Sequence, residues 1–317
     1  MPPRFPNKEP PMKVAVTGAN GFVGLALCQH LKTQGVDFLP LTRDPQIIAE
    51  IMSDSLSESS DERACKTALS GCDTLVHLAA LTHQPSTSPF ANLDKFRQIN
   101  VDFSRKLALA AAKAGVRRIV FMSSIKVYGD PANGWITQDT ETTPNDAYGQ
   151  TKLEAEHALS DICQETGMEL VIIRPPLIFA PHAKGNLASL LRAVRSQLPL
   201  PLANVHNRRD LLSLPNLCDL IFKCLSHPNA TGQPWLACDG TPISSADIIR
   251  TLAHTHQLKA RLIPAPQSWL RWGAALMSRQ QQLQKLTGDL QIDSRRTQDA
   301  LEWQPQSIQA LYMNPGR

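Results

Sequence analysis

Two textures alternate along the first half of the chain. Short apolar runs rich in β-branched residues stop at glycine or a polar residue, and between them apolar positions recur every three to four residues. "KVAVTG" (13–18) reads as a strand buried on both faces. "FVGLALCQHLKTQG" (22–35) has helical spacing and a closing glycine. "VDFLPLTR" (36–43) is the next strand, although Pro40 lacks the donor that a central strand needs. Residues 45–72 are polar, and "SDSLSESSDER" predicts a surface connection into a helix ending at Gly71. Then come a strand "DTLVHLAA" (73–80), a long helix "FRQINVDFSRKLALAAAKAG" (96–115) and a strand "VRRIVFMSS" (116–124). A helix begins near Tyr148, and "GMELVIIRP" (167–175) gives one more strand. Alternation at this spacing predicts an α/β fold, a doubly wound parallel sheet covered on both faces, with right-handed crossovers.

Beyond residue 175 prolines cluster in "RPPLIFAP" and "LPLPL", and short helical stretches dominate. The pattern divides the chain into a disordered lead (1–11), a first domain (12–175) and a smaller region (176–317). Segments of the last return to the sheet, with "QPWLACDG" (233–240) as the strand-like candidate. "PQSWLRWGAALM" (266–277) is an apolar helix bearing tryptophans, read as core packing, a lid or a shallow membrane contact.

Composition narrows the function classes. The 317 residues are 42% hydrophobic and 19% charged, ordinary for a globular protein. The net charge of +4, without a dense Lys/Arg run, argues against a nucleic-acid partner. Seven cysteines without a C-x-x-C pair predict reduced thiols and a cytoplasmic location, and the nine histidines show no metal-ligand spacing. No apolar run approaches the ~18 residues of a membrane span. The start of the chain lacks the apolar stretch of a signal peptide, and Met12 stands directly before the first strand as a second candidate start.

Candidate chemistry begins at "TGANGFVG", where Gly18, Gly21 and Gly24 join a strand to a helix. Glycines let the backbone turn sharply and approach a pyrophosphate, and the helix N-terminus favours its charge. Residues 12–175 therefore read as a dinucleotide-binding domain. The end of the second strand, "LTRD", has Thr42 where a carboxylate would hold ribose hydroxyls, followed by Arg43. A guanidinium suits a 2′-phosphate, which favours NADP over NAD. In the alternative, Arg43 faces solvent or Asp44 takes the acid's place.

Tyr148 and Lys152 lie four apart on a predicted helix and so share a face. A phenol with a pKa near ~10 is a poor base at neutral pH, and a neighbouring ammonium lowers that pKa. The lysine's other donors suit ribose hydroxyls. Ser123 and Ser124, at a strand's C-terminal end, offer a hydroxyl to hold a substrate oxygen. The plainer reading makes Tyr148 a packing residue at a helix start.

Together, Gly18-x-x-Gly21-x-x-Gly24, "HLAA" at 77–80, "SSIKVYG" at 123–129 and Tyr148-x-x-x-Lys152 resemble the extended short-chain dehydrogenase/reductases. Within them the chain is similar to the nucleotide-sugar epimerase, dehydratase and reductase branch, over about residues 12 to 305. The resemblance implies a Rossmann fold, NADP or NAD, a nucleotide-diphosphate sugar, and a homodimer formed through two helices, that of 99–115 and that of Tyr148. It implies Ser124, Tyr148 and Lys152 as catalytic residues and no metal. The implied cofactor set is Gly18, Gly21, Phe22, Val23, Gly24, Arg43, Leu78, Ala79, Ala80, Asn100, Ser123, Tyr148, Lys152 and Pro175. The implied substrate set is His83, Ser124, Tyr148, Asn186 and Arg209; Arg208 and Lys184 are neighbours that suit solvent equally well.

Three chemistries share these parts. Dehydratases of the branch carry an Asp-Glu pair directly after the catalytic hydroxyl; here Ile125 and Lys126 stand there, and isoleucine cannot protonate a leaving hydroxyl. Leu177 replaces the asparagine that family epimerases often show after the sixth strand. Leu286, beside Lys285, takes the place of an arginine three before Asp289. With "TR" at 42–43, these departures resemble reductases of UDP-4-keto-6-deoxy-N-acetylhexosamines in bacterial surface-polysaccharide synthesis. A UDP-hexose 4-epimerase with tightly held NAD and a non-catalytic NADP-binding sensor are the alternatives.

Overall fold

A computed structural model of the chain describes residues 12–42, 69–82, 88–130, 134–182, 185–266, 268 and 280–313. The N-terminal lead, Arg43, Lys184, His83, "SDSLSESSDER" and nearly all of the tryptophan-bearing stretch lie outside the described residues, as do the side chains of Asn186 and Lys285.

The strands, in chain order, are β1 (Lys13–Thr17), β2 (Asp37–Leu41), β3 (Thr74–His77), β4 (Arg118–Met122), β5 (Trp135–Ile136), β6 (Glu169–Arg174), β7 (Ile178–Phe179), β8 (Leu212–Ser213), β9 (Pro234–Leu236) and β10 (Gln291–Ile292). Six form one sheet in the order β2-β1-β3-β4-β6-β9. The first five pair in parallel. Val14, Ala15 and Val16 of β1 have no exposed surface, as continuous apolar strands covered on both faces require. Among the described residues β2 is the outer strand and its sheet partner is β1, in register Val16↔Pro40, which explains how Pro40 is tolerated.

Strand order reverses around β1. The chain leaves β1 for β2 on one side and returns to β3 on the other, so the C-terminal ends of β1 and β3 form a topological switch point, where open α/β sheets hold ligands. The predicted helix at 96–115 runs as Leu93–Arg97, a π-helical turn Gln98–Asp102, and Phe103–Lys113. In the π turn the Phe103 N–H donates to the Gln98 carbonyl, five residues back, and this local widening is not visible in apolar spacing. Of the helix predicted to end at Gly71, the structure describes the end, with Gly71 in the left-handed region at φ 75°.

The chain divides into two compact units. The first comprises residues up to Ser123, Asp146–Ile173 and Ile221–Pro234. Its core joins Ala15, Leu75, Ile119 and Phe121 of the sheet to Leu159 and Ile162 of the helix Ala147–Thr166. Arg118, 2% exposed on β4, ties in the later segment. It donates to Glu169 at 2.7 Å and to the carbonyls of Cys224 and His227 at 2.8 and 3.1 Å. A buried guanidinium must find such partners, and these satisfy it.

The second unit comprises Ser124–Asn145, Arg174–Leu220 and Trp235–Arg317. Its sheets are two-residue pairs, β7 with β8 and β10 with β5. Polar side chains hold together what these short ladders cannot. Asn207 donates to the Leu286 and Gly288 carbonyls at 3.1 and 2.9 Å and accepts from the Ser245 N–H at 2.9 Å. Asp239 accepts from the Ser213 N–H and from Asn216, while Asn216 also clasps both backbone groups of Gln306. Burial pushes the Asp239 carboxyl up to about 6, against the pull of these donors.

No helix among the described residues is long and apolar enough to cross a membrane. The described cysteines are free thiols. Burial pushes Cys163 up to about 11 and Cys224 and Cys238 up to about 12, which makes them unreactive. No cluster of metal-ligating side chains occurs among the described residues.

Candidate active site

The glycine turn after β1 is shaped by close backbone approach. Gly18 sits at φ 68°, and a side chain there would meet the Ala79 amide at 3.0 Å. At Gly24, in the first turn of the helix Phe22–Thr33, a Cβ would fall 2.1 Å from the Gly18 carbonyl oxygen, so only glycine lets helix and turn close up. Gly21 is the N-cap. It has no side chain to cap the first turn, and the turn has no acidic residue. These features fit a pyrophosphate, which would supply the missing cap and the negative charge that a helix N-terminus favours. Gly18, Gly21, Phe22, Val23 and Gly24 are thus gathered at one end of the sheet, beside the half-buried Leu78, Ala79 and Ala80 that follow β3.

Behind that surface runs a chain of buried hydrogen bonds. The Thr17 hydroxyl oxygen accepts from the Leu78 and Ala79 amides at 3.2 and 3.3 Å and bonds His77 Nδ1 at 2.8 Å. His77 Nε2 bonds Ser104 at 2.8 Å, and the Ser104 hydroxyl donates to the Asn100 carbonyl at 2.7 Å. Because Ser104 spends its proton there, Nε2 of His77 must be the donor to it, and Nδ1 accepts from Thr17. The ring is therefore neutral. Burial, with a further push from the Lys152 charge, pulls its pKa down to about 3.

The chain continues through Asn100, which is 1% exposed within the π turn. Its side-chain oxygen accepts from the Leu81 N–H at 2.7 Å, and its amide donates to the Leu81 carbonyl and to Thr151, both at 3.1 Å. Thr151 in turn donates to the Ala147 carbonyl at 2.8 Å. Hydrogen bonds thus link the end of β1, the segment after β3 and the first turn of the Tyr148 helix without a break.

The helix Ala147–Thr166 starts on an Asp146 cap, whose carboxylate accepts from the Gly149 N–H at 2.8 Å. Tyr148 is its second residue and is half-buried. Lys152, one turn on, is 1% exposed, with its ammonium 4.0 Å from the centre of the Phe121 ring. Burial pulls its pKa down to about 7, and the charge of Glu156, a further turn along, opposes that fall. Ser123, expected against a cofactor, is buried, and its hydroxyl donates to Glu156.

The other expected residues belong to the second unit. Ser124 is 8% exposed, has extended backbone, and its oxygen accepts from the Lys126 N–H at 3.2 Å, capping a short 3₁₀ turn Ile125–Tyr128. The Pro175 carbonyl accepts from the Ile125 N–H at 3.1 Å. Asn186 is the first residue of the helix Asn186–Arg195. Arg209 exchanges backbone hydrogen bonds with Ile243 and donates from its guanidinium to the Gly288 carbonyl at 2.8 Å, with the charges of Asp289 and Asp130 nearby. Arg208 is exposed, its backbone amide held by Asp289. Leu177 is 39% exposed.

Sequence reasoning passed over Thr17, His77, Thr151 and Glu156 as individual residues. Thr17 and His77 end adjacent strands in register, so the signal was a pair of polar residues closing two apolar runs. Thr151 and Glu156 carry no such signal, because both sit among the ordinary polar residues of a helix.

Sheet order, glycine turn and buried lysine define a dinucleotide-binding α/β enzyme. The sequence matches the NAD dependent epimerase/dehydratase family over residues 14–236, and the chain belongs to that family. A UDP-glucose 4-epimerase from Vibrio cholerae is 32% identical over 94% of this chain and 92% of its own length. An N-acetyl-alpha-D-glucosaminyl-diphospho-ditrans,octacis-undecaprenol 4-epimerase from Escherichia coli O157:H7 is 32% identical over 66% of this chain and 61% of its own length. Among solved structures, RMD from Pseudomonas aeruginosa complexed with NADPH superposes with a TM-score of 0.70 at 21% identity, covering 94% of this chain and 96% of that one. A short-chain dehydrogenase/reductase superfamily protein from Agrobacterium tumefaciens with bound NAD gives a TM-score of 0.70 at 22% identity over 95% of both chains. The expected fold class, the epimerase, dehydratase and reductase branch and the enzyme class all hold.

Proposed function

We propose that the protein is an NAD(P)-dependent oxidoreductase acting at C4 of a nucleotide-diphosphate sugar, and that it reduces a 4-keto sugar. The observation carrying the chemistry is the pairing of half-buried Tyr148 with fully buried Lys152 on one helix, which the Asn100–Thr151 bond ties toward the glycine turn. A bound nicotinamide would supply the hydride for the carbonyl carbon. Tyr148 would give its phenolic proton to the carbonyl oxygen as that oxygen gains charge. Lys152 holds positive charge beside the phenol and so eases loss of its proton. Ser124 is assigned to hold the same oxygen. The Gly18–Gly24 turn would hold the pyrophosphate, and Asn186 and Arg209 the sugar nucleotide's diphosphate, for which a guanidinium is well suited.

Reduction rather than epimerisation is supported by Thr42-Arg43 after β2, which favours a phosphorylated dinucleotide, and by Leu177 in place of a sugar-binding asparagine. Ile125 and Lys126 argue against dehydration. The second reading, a UDP-hexose 4-epimerase, is supported by the full-length Vibrio cholerae relative of that name.

One experiment separates the two. The purified protein is denatured, its nucleotide identified by mass spectrometry, and NADPH oxidation followed on addition of a UDP-4-keto-6-deoxy-N-acetylhexosamine. Steady NADPH consumption supports the reductase. Stoichiometric co-purified NAD, UDP-hexose interconversion and no response to NADPH would replace it with the epimerase. We also propose a homodimer, checked by light scattering of the same sample.

A further inference from the structure

We propose that Glu156 is a positioning residue whose carboxylate keeps the Lys152 side chain charged inside the fold. Only the catalytic consequence of this rests on reading Lys152 as the partner of Tyr148.

The helix Ala147–Thr166 puts Tyr148, Lys152 and Glu156 on three successive turns of one face. Lys152 is 1% exposed and Glu156 3%. A lone ammonium at such depth sheds its proton unless an opposite charge compensates. The Phe121 ring, 4.0 Å away, offers an attractive face and no full charge. Of the titratable groups that act from neighbouring elements, His77 on β3 is neutral, with Thr17 and Ser104 as its partners. The other nearby acid on the helix, Glu154, is engaged by the partly exposed Arg97 at 2.8 Å and by Gln150. Glu156, buried one helical turn beyond Lys152, accepts from the Ser123 hydroxyl that follows β4.

The electrostatics agree with the geometry. Burial pulls Lys152 down to about 7, and Glu156 is the group that holds it up. The lysine's charge is thus opposed by burial and supported by Glu156.

The competing assignment makes Glu156 an anchor for Ser123 alone, and two variants separate the roles. Glu156→Gln removes the charge and keeps an acceptor for Ser123. Ser123→Ala removes the hydrogen bond and keeps the charge. The readout is the titration of the Lys152 Cε resonance in full-length protein labelled with ¹³C-lysine, assigned by its absence in Lys152→Met. In Glu156→Gln the midpoint falls by about one pH unit or more, and in Ser123→Ala by less than about 0.3. The alkaline limb of turnover against pH moves down with it. An unmoved midpoint in folded Glu156→Gln, or an equal fall in Ser123→Ala, overturns the proposal. Should Glu156→Gln not fold, Glu156→Asp carries the test: pulling the charge back by one methylene lowers the midpoint, and an unmoved or raised one overturns the proposal. A fall in midpoint with an unchanged turnover profile upholds the charge role and refutes Lys152 as the partner of Tyr148.

Discussion

In the first unit, buried polar side chains follow the regular elements. Thr17, His77, Ser104, Asn100 and Thr151 hand hydrogen bonds from strand to strand to helix, each to a residue on a neighbouring element. In the second unit, whose paired strands are two residues long, Asn207 and Asn216 reach backbone groups 81 and 90 residues away in sequence. A buried backbone group must be satisfied somehow. Parallel strands of four to six residues meet much of that need, although Arg118 and Asn100 of the first unit also serve backbone groups. Short ones spend side chains on the task.

The sharpest test of this contrast is Tyr148→Phe. It removes one hydroxyl from the regular unit, and turnover falls by roughly 10²–10⁴-fold. Cofactor affinity, followed by fluorescence titration, stays the same; unchanged turnover would refute the assigned proton donor. Next in size is a pair of asparagines. Asn100→Ala and Asn207→Ala each strip several buried partners and each costs about 2–3 kcal/mol in urea unfolding. In the folded protein, Asn100→Ala also loses at least about tenfold in kcat, because an aligned site is sensitive to small displacements, whereas Asn207→Ala keeps kcat. Equal losses of kcat would erase the distinction between the units.

The smallest effect concerns pH. His77 is pulled down to about 3 in the fold, below its ordinary value of 6.5, so the unfolded chain binds the proton first as pH falls. Stability contributed by the neutral ring is complete above pH 6.5 and is lost progressively toward about 3, where the folded form also protonates. Between about pH 6.5 and 5.5 this amounts to about 1 kcal/mol. His77→Asn flattens that part of the stability profile, measured by urea unfolding at several pH values; an equally steep slope would mean that other groups carry it.

Much of this was readable from residue order alone. Short apolar, β-branched runs marked β1, β3, β4 and β6, because strands buried on both faces leave an unbroken hydrophobic trace. Gly18, Gly24 and the Tyr148–Lys152 spacing stood out because backbone approach and shared helix faces dictate residue types at fixed intervals. The π turn at 98–102 was hidden, since one inserted residue alters hydrogen bonding without disturbing the apolar count much. So were β7, β8 and β10, each of two residues, too short to generate a period. Glu156 was hidden for another reason. A glutamate in a helix ordinarily faces water, and only three-dimensional packing reveals that this one does not.

Pro40, on the outermost strand, bears on how this molecule behaves among its own kind. Sheet margins are where foreign chains attach, by zipping their amides onto a waiting row of donors and acceptors. Pro40, fourth of the five residues of β2, carries no N–H, so the strand offers one donor fewer to any such ladder. The residue that looked out of place in the hydrophobic pattern thus takes one donor out of β2.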